Sequence, residues 1–184
     1  MDSLKGQLLV ATERLLDPNF RRTVLLMLEH TESGAVGVVL NRPTEATVED
    51  LSEQVLHEPF DWDKPIHIGG PVPGPLIVLH TDSDQADQEV FDGLFSTVDA
   101  SKIQELLRAR VDPSLIVANY AGWGPGQLES EFETDSWYTC PAELEHIFWD
   151  AADDLWETIV KRINSSTLTS ILHLRDLPSD PSLN

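Results

Sequence analysis

Residues 120–129 read Tyr-Ala-Gly-Trp-Gly-Pro-Gly-Gln-Leu-Glu, and this run decides how the second half of the chain is organised. Glycine favours dihedrals that other residues avoid, and proline lacks a backbone donor. Gly122, Gly124, Pro125 and Gly126 around Trp123 therefore predict a shaped loop rather than a helix or a regular ladder. Before it, Ser114 to Asn119 is a short apolar run with the pattern of a buried strand; after it, Gln127 to Phe132 can start a helix. A strand, a glycine loop and a helix in that order can present bare amides at a helix N-terminus, a geometry suited to anions. The competing reading is a packed turn in which Trp123 is core.

Working outward, Gly6 to Thr12, Thr23 to Glu29 and Ala35 to Leu40 are short runs rich in Val and Leu between turn residues, which predicts three strands. Thr44 to Leu56 predicts a helix with Thr47 as N-cap, Glu49 and Asp50 in its first turn, and Val48, Leu51 and Val55 on one face. Ile66 to Ile68 and Leu76 to His80 read as strands on either side of a glycine-proline turn, and Val90 to Val98 as further sheet. Ser101 is placed as the cap of a helix running to Arg110, with Ile103, Leu106 and Leu107 buried and Arg108 and Arg110 near its C-terminus. Gln127 to Glu133 is a short helix, Ser136 to Thr139 a strand, and Ala142 to Phe148 and Asp153 to Ile163 two closing helices, with Asp153 and Asp154 at the start of the second. A strand meander followed by interspersed helices gives an α+β class with a mixed, strongly curved sheet in a single domain.

Composition excludes several functions. Twelve Lys and Arg stand against 32 Asp and Glu, a formal net charge of −20, and residues 111–160 carry no Lys or Arg at all. Nonspecific DNA binding needs a basic footprint, and Lys5, Arg14, Arg21, Arg22 and Arg42 are too few and too closely flanked by acids to make one. Direct nucleic-acid binding is therefore not expected, and the acid excess reads as a solvated face. No run approaches the roughly 18 apolar residues of a membrane span, and Met-Asp-Ser-Leu-Lys is not a secretory leader. With Cys140 as the single cysteine, no internal disulfide is expected. A cytoplasmic location without a membrane partner follows as the expectation.

Candidate chemistry gathers at few points. Asp17-Pro18 is turn chemistry, and the Arg21-Arg22-Thr23 that follows it can hold phosphate or carboxylate through a guanidinium fork, or can tie the loop down through carbonyls. Asn41-Arg42 ends a strand, either as a polar site or as a strand-exit cap. His30 and His80 end strands and can meet in space as general acid or base, or can be structural. The six histidines form no metal-ligand spacing, and no nucleophile elbow, phosphate loop or dinucleotide fingerprint appears, so neither metal nor cofactor is expected. The tryptophans sit among acids rather than cations, which favours core packing over base stacking. Phe148, Trp149 and Trp156 are read as an apolar patch for a protein partner or a second copy of the chain.

Gly6-Gln7-Leu8-Leu9-Val10-Ala11-Thr12, Asp17-Pro18-Asn19-Phe20-Arg21-Arg22-Thr23-Val24, Glu29-His30 and the run Gly34 to Pro43 open the chain. Gly69-Gly70-Pro71-Val72, Val78-Leu79-His80, the glycine loop with Trp137 downstream, and Asp180 to Asn184 follow. In this order the blocks resemble the AlgH/YqgE-like family across nearly the whole chain. The resemblance implies a barrel-like mixed sheet with flanking helices, in a bacterial and plastid group of small single-domain proteins, some labelled transcriptional regulators. It brings no catalytic residue with it. The sequence departs from that family where Gly74-Pro75 replaces its Arg-Gly pair, which leaves an anion near Gly70 without an adjacent arginine and dependent on Arg22 or Arg42. The preferred expectation is a non-enzymatic regulatory or binding protein acting through a small anionic ligand or a protein partner. Its site would draw on Arg22, Thr23, His30, Asn41, Arg42, Gly70, His80, Gly122, Trp123, Gly124, Gly126 and Gln127. The alternative is a hydrolase or transferase on an anionic metabolite, with Arg22 or Arg42 binding and His30 or His80 moving the proton.

Overall fold

The computed structural model describes residues 3–55, 61–150 and 152–175. The expectations for Leu56, His57 and the 180–184 block, and for the side chains of Val55, Asp153 and His173, lie outside the described residues. Ten strands form one curled sheet: β1 (Gln7–Ala11), β2 (Val24–Thr31), β3 (Gly34–Val39), β4 (Pro43–Thr47), β5 (Pro65–Ile68), β6 (Val72–His80), β7 (Gln88–Phe91), β8 (Leu94–Thr97), β9 (Ser114–Trp123) and β10 (Trp137–Pro141). The helices are α1 (Val48–Val55), α2 (Ala100–Arg108), α3 (Gln127–Glu133), α4 (Leu144–Ile147) and α5 (Ala152–Arg175). The main path runs β10-β1-β2-β3-β9-β6-β8-β7, with β4 and β5 branching from β9. All pairs are antiparallel except β5 with β9, so the sheet is mixed. Among the described residues no helix is long and apolar enough to cross a membrane.

The unbroken apolar runs of β1 and β2 are explained by burial on both faces. Leu8, Val10, Val24, Leu26 and Leu28 join a core capped by Ile147, Leu155, Trp156 and Ile159 of α4 and α5. Their neighbours Leu9, Ala11, Leu25 and Met27 point the other way, into a second core closed by Leu128 of α3. A third core packs Ile103, Leu106 and Leu107 of α2 with Val48 against Ile66 and Ile116.

Three local expectations are corrected. The glycine run is only half a loop: Tyr120 to Trp123 continue β9, pairing Ala121, Gly122 and Trp123 with Gly37, Val36 and Ala35. Thr44 to Thr47 are strand, not helix; Thr47 holds the N-cap position immediately before α1, where Asp50, three residues on, accepts from its N–H (2.8 Å) and hydroxyl (3.1 Å). Asp99, not Ser101, caps α2, its Oδ1 accepting from the amides of Ser101 (3.0 Å) and Lys102 (3.1 Å). Val90 to Val98 is sheet, as expected, folded as the β7–β8 hairpin that turns at Asp92-Gly93, with Gly93 at φ +79°.

The branch is made by close backbone approach. The Gly69 amide donates to the Ala118 carbonyl (2.8 Å) and its carbonyl accepts from Val39 (2.8 Å), so this residue joins β3, β5 and β9. A Cβ on Gly69 would stand 2.5 Å from the Asn119 oxygen, and one on Gly70 would stand 2.3 Å from the Tyr120 carbonyl. Because those obstacles are backbone, Gly69→Ala or Gly70→Ala is expected to destabilise by about 3 kcal/mol in chemical denaturation. Gly93→Ala, with open space around its Cβ but a left-handed φ, is expected to cost about 1 kcal/mol.

Candidate functional site

The candidate residues fall into separate networks rather than one. Around the β1–β2 loop, Thr23 donates to the Phe20 carbonyl (2.7 Å) and Asn41 clamps the loop from both sides, accepting from Val24 N–H (2.9 Å) and donating to the Arg22 carbonyl (2.9 Å). Arg42 donates to the carbonyls of Pro18 (3.4 Å) and Arg21 (3.2 Å). Arg22, in left-handed backbone at φ +58°, pairs with Glu157 and lies 4.7 Å over the Trp156 ring. The guanidinium forks that were to hold an anion are thus engaged within the protein.

The end of β9 forms a second network. Trp123 is 5% exposed and stacks with Phe20 and, edge-on, with Trp137. Glu131 Oε2 accepts from both indoles, Trp123 at 3.1 Å and Trp137 at 2.8 Å. Gln127 Oε1 accepts from the Gly124 amide (3.1 Å), and the carboxylate of Glu129 accepts from its own amide at the start of α3. An acidic side chain already sits where an anion would, and the packed-turn reading of Trp123 describes the geometry. His30 belongs here too: its Nδ1 accepts from Leu4 N–H (3.0 Å), which leaves the proton on Nε2 to donate to Glu129 (3.0 Å).

His80 is apart from both networks. It is fully buried, accepts at Nδ1 from Asp82 N–H (3.2 Å) and donates from Nε2 to Thr97 Oγ1 (2.8 Å), which donates on to the Gln85 carbonyl (2.6 Å). A ring held in this tautomer cannot take the hydroxyl proton. Strands β3 and β9 stand between the strands carrying His30 and His80, so the two do not converge. Gly70 serves the sheet branch described above.

A cleft of about 760 Å³ opens elsewhere, between the start of β9 with β5 on one side and the α4–α5 segment on the other. None of the residues expected to form an anion-binding or catalytic site lines it. Its wall includes His67, 7% exposed, whose Nδ1–H donates to the Leu40 carbonyl (2.7 Å), while Nε2 has no hydrogen-bond partner among the described residues. Two polar atoms of lining residues are buried without a partner among the described residues, Ser114 Oγ and Trp149 Nε1. Phe148 and Trp149 line the cleft while packing on the core, and Trp156 is core outright, its indole donating to the Ala11 carbonyl (2.8 Å). The expected three-ring outer patch is therefore divided between core and cleft wall. Sequence did hold a signal for this site: a tryptophan set against aspartate occurs on both walls, in Asp61-Trp62-Asp63 and in Trp149-Asp150.

Near the cleft, His146 accepts at Nδ1 from Glu143 N–H (3.1 Å) and faces Arg162 Nη1 across Nε2 (2.9 Å), so a donor stands on each side of the ring. Glu143, Glu145 and His146 lie close enough to share an ion, but Arg162 also binds Glu145 (3.0 Å) and sets a positive charge in that space. Cys140 is a half-buried free thiol that burial holds above its ordinary pKa, in keeping with an inert side chain.

Fold and cleft together define a small α+β domain built on one curled, branched sheet. A family model described as AlgH-like matches residues 8–167, and the chain belongs to this AlgH-like family. A UPF0301 protein of Chlorobaculum tepidum is 44% identical over 164 residues, 85% of this chain and 84% of that protein. A UPF0301 protein of Streptomyces avermitilis is 36% identical over the whole chain and 97% of its own length. Among solved structures, the AlgH protein from Pseudomonas aeruginosa superposes with a TM-score of 0.73 at 31% identity, covering 91% of this chain and 94% of that one.

Two outcomes follow from the site's geometry. Glu131→Ala strips the acceptor from two buried indoles and is expected to cost about 3 kcal/mol, with loss of near-UV circular dichroism from Trp123 and Trp137. Burial, the leading cause in each case, holds the imidazoles of His67, His80 and His146 below the ordinary histidine value of 6.5. As pH drops through that value the unfolded chain takes up protons that the folded chain still refuses. Stability measured by urea titration should therefore fall from about pH 7.5 to about pH 5.5, and His80→Gln should reduce the slope.

Proposed function

We propose that the protein is a non-enzymatic, cytoplasmic binding protein whose small-molecule ligand occupies the cleft between β5–β9 and the α4–α5 segment. The observation that carries this reading is unused hydrogen-bonding capacity at the wall of this cleft of about 760 Å³: Ser114 Oγ and Trp149 Nε1 are buried without a partner among the described residues, and His67 Nε2 makes no hydrogen bond there. Buried polar groups are ordinarily paired, and a cluster of exceptions marks a place where a partner is expected to arrive. The volume falls in the range of ordinary metabolite sites. By contrast, Arg22, Asn41 and Arg42 have their polar groups engaged internally, which supports a structural task for the β1–β2 loop.

A binding role is favoured over turnover by the state of the two histidines read as general acid or base. His30 and His80 each present a proton rather than a lone pair to their side-chain neighbour, and neither lines the cleft. Any regulatory role in transcription runs through a protein partner, since a net charge of −20 opposes contact with DNA. The test is a thermal-shift screen of the intact protein against nucleotides, sugar phosphates, carboxylates, amines and divalent metals. A ligand at about 100 times its Kd adds about 2.7 kcal/mol to stability. The expected hit persists in Arg22→Ala and Arg42→Ala and is lost in Asp63→Arg or Trp149→Phe; a hit lost only in the arginine variants overturns the assignment to the cleft.

A further inference from the structure

Resting on the reading of the cleft as the ligand site, we propose that it selects a small organic cation of the amine or guanidine class rather than the anion that the glycine loop suggests. Asp63, Asp112, Asp150 and Asp154 line it, against a single cation, Lys64. Lys64 is committed to Asp112, its Nζ lying 2.8 Å from Oδ1, which leaves Asp63, Asp150 and Asp154 with no ion pair among the described residues. Two further cations stand near this wall and are engaged: Arg162 is tied to Glu145 (3.0 Å) and Arg110 donates to the Asp61 carbonyl. An anion entering here would meet an uncompensated negative rim, whereas a cation would complete it.

The floor adds an independent requirement. His67, more than nine-tenths buried, has its Nδ1–H occupied by the Leu40 carbonyl and keeps only a lone pair at Nε2, so a ligand group that meets this atom has to donate. Ammonium and guanidinium groups are donors without acceptors, and the Ser114 hydroxyl can accept from them as well, whereas the Trp149 Nε1–H needs an acceptor from another part of the ligand or from water. Aromatic rings supply the third element. Trp62, Phe148 and Trp149 line the same space, and the face of an indole attracts a cation within about 6 Å of its centroid. The protein already uses this chemistry at the site: Lys64 Nζ stands 5.3 Å over the Trp62 ring while bound to Asp112. A ligand amine would repeat between Trp149 and Asp150 what Lys64 does between Trp62 and Asp112.

The experiment is calorimetric titration of the intact protein at physiological salt with agmatine, which carries an ammonium and a guanidinium, alongside adenosine as a neutral planar probe and citrate as an anion. Agmatine is expected to bind at one saturable site, and the rim variant Asp63→Asn/Asp150→Asn to weaken it at least tenfold. The distal variant Glu32→Gln/Glu89→Gln, which removes the same charge from residues that do not line the cleft, is expected to leave it unchanged. Equal weakening by both variants would mean diffuse attraction to an acidic protein and would overturn the proposal. Adenosine or citrate binding in place of agmatine, and lost in Trp149→Phe, would overturn the cation class while leaving the cleft as the ligand site. If none of the three binds and the broader screen finds no cleft ligand, both readings fall.

Discussion

The rest of the structure depends on the pairing of β9 along both of its edges. One edge carries β6 from Ser114 to Tyr120; the other carries β5 in parallel at Ile116 to Ala118 and then β3 antiparallel at Ala121 to Trp123. A strand can change neighbours in this way only if its backbone swivels between the two segments. Asn119, at φ +66° in the left-handed region that asparagine tolerates best among ordinary residues, supplies the swivel, and the register with β6 shifts at the same place. The same strand reaches all three cores, through Leu115 and Val117, through Ile116, and through Ala121 and Trp123. The curl of the sheet, the seating of α5 and α3 on opposite faces, and the opening beside β5 all follow from that one bifurcation.

Small residues permit it. Gly69 and Gly70 let the chain leaving β5 lie against the backbone of β9, and Gly37 lets β3 approach Leu26 and Met27, where a Cβ would stand 3.0 Å from the Leu26 oxygen. Polar side chains then fix the connections that the strands leave over. Asn41 and Arg42 hold the β1–β2 loop, Glu131 holds the two indoles beside it, and Asp87 accepts from Lys102 and from the amides of Val98 and Asp99. The Lys102 ammonium holds the Asp87 carboxyl at about 2, well below the usual carboxylate range, so this tie persists across the neutral and mildly acidic range.

Much of the architecture is legible in the sequence because apolar runs, turn residues and burial speak the same language. β1, β2 and β3, the three-residue face of α2 and the α+β class follow from periodicity alone, and the family's blocks agree with them. Where local and long-range demands conflict, reading by neighbours fails. Thr44 to Thr47 have a helix-compatible composition, yet β5 pairs with them and draws them into the sheet. Gly122 looks like a loop residue until β3 is known to need a partner. Asp99 outranks Ser101 as a cap because its carboxylate reaches two amides at once, a fact of geometry that leaves no trace in spacing.

The candidate site was less legible for a reason that is also physical. Sequence displays which side chains can bind something, but binding at a surface depends on capacity left over after the fold has made its own contacts. Arg22, Arg42, His30 and the amides around Gly124 are conspicuous in one dimension and engaged in three. His67 and Ser114 are inconspicuous, one histidine among six and the first residue of a strand, yet each lines the cleft with a polar atom that has no hydrogen-bond partner among the described residues. The acid excess changes meaning in the same way. Spread over the surface it confers solvation, but four aspartates against one committed lysine around aromatic rings impose a sign on whatever enters. A fold that uses its arginines internally and leaves its aspartates uncompensated at an opening is arranged to receive positive charge, whatever the glycine loop seems to offer an anion.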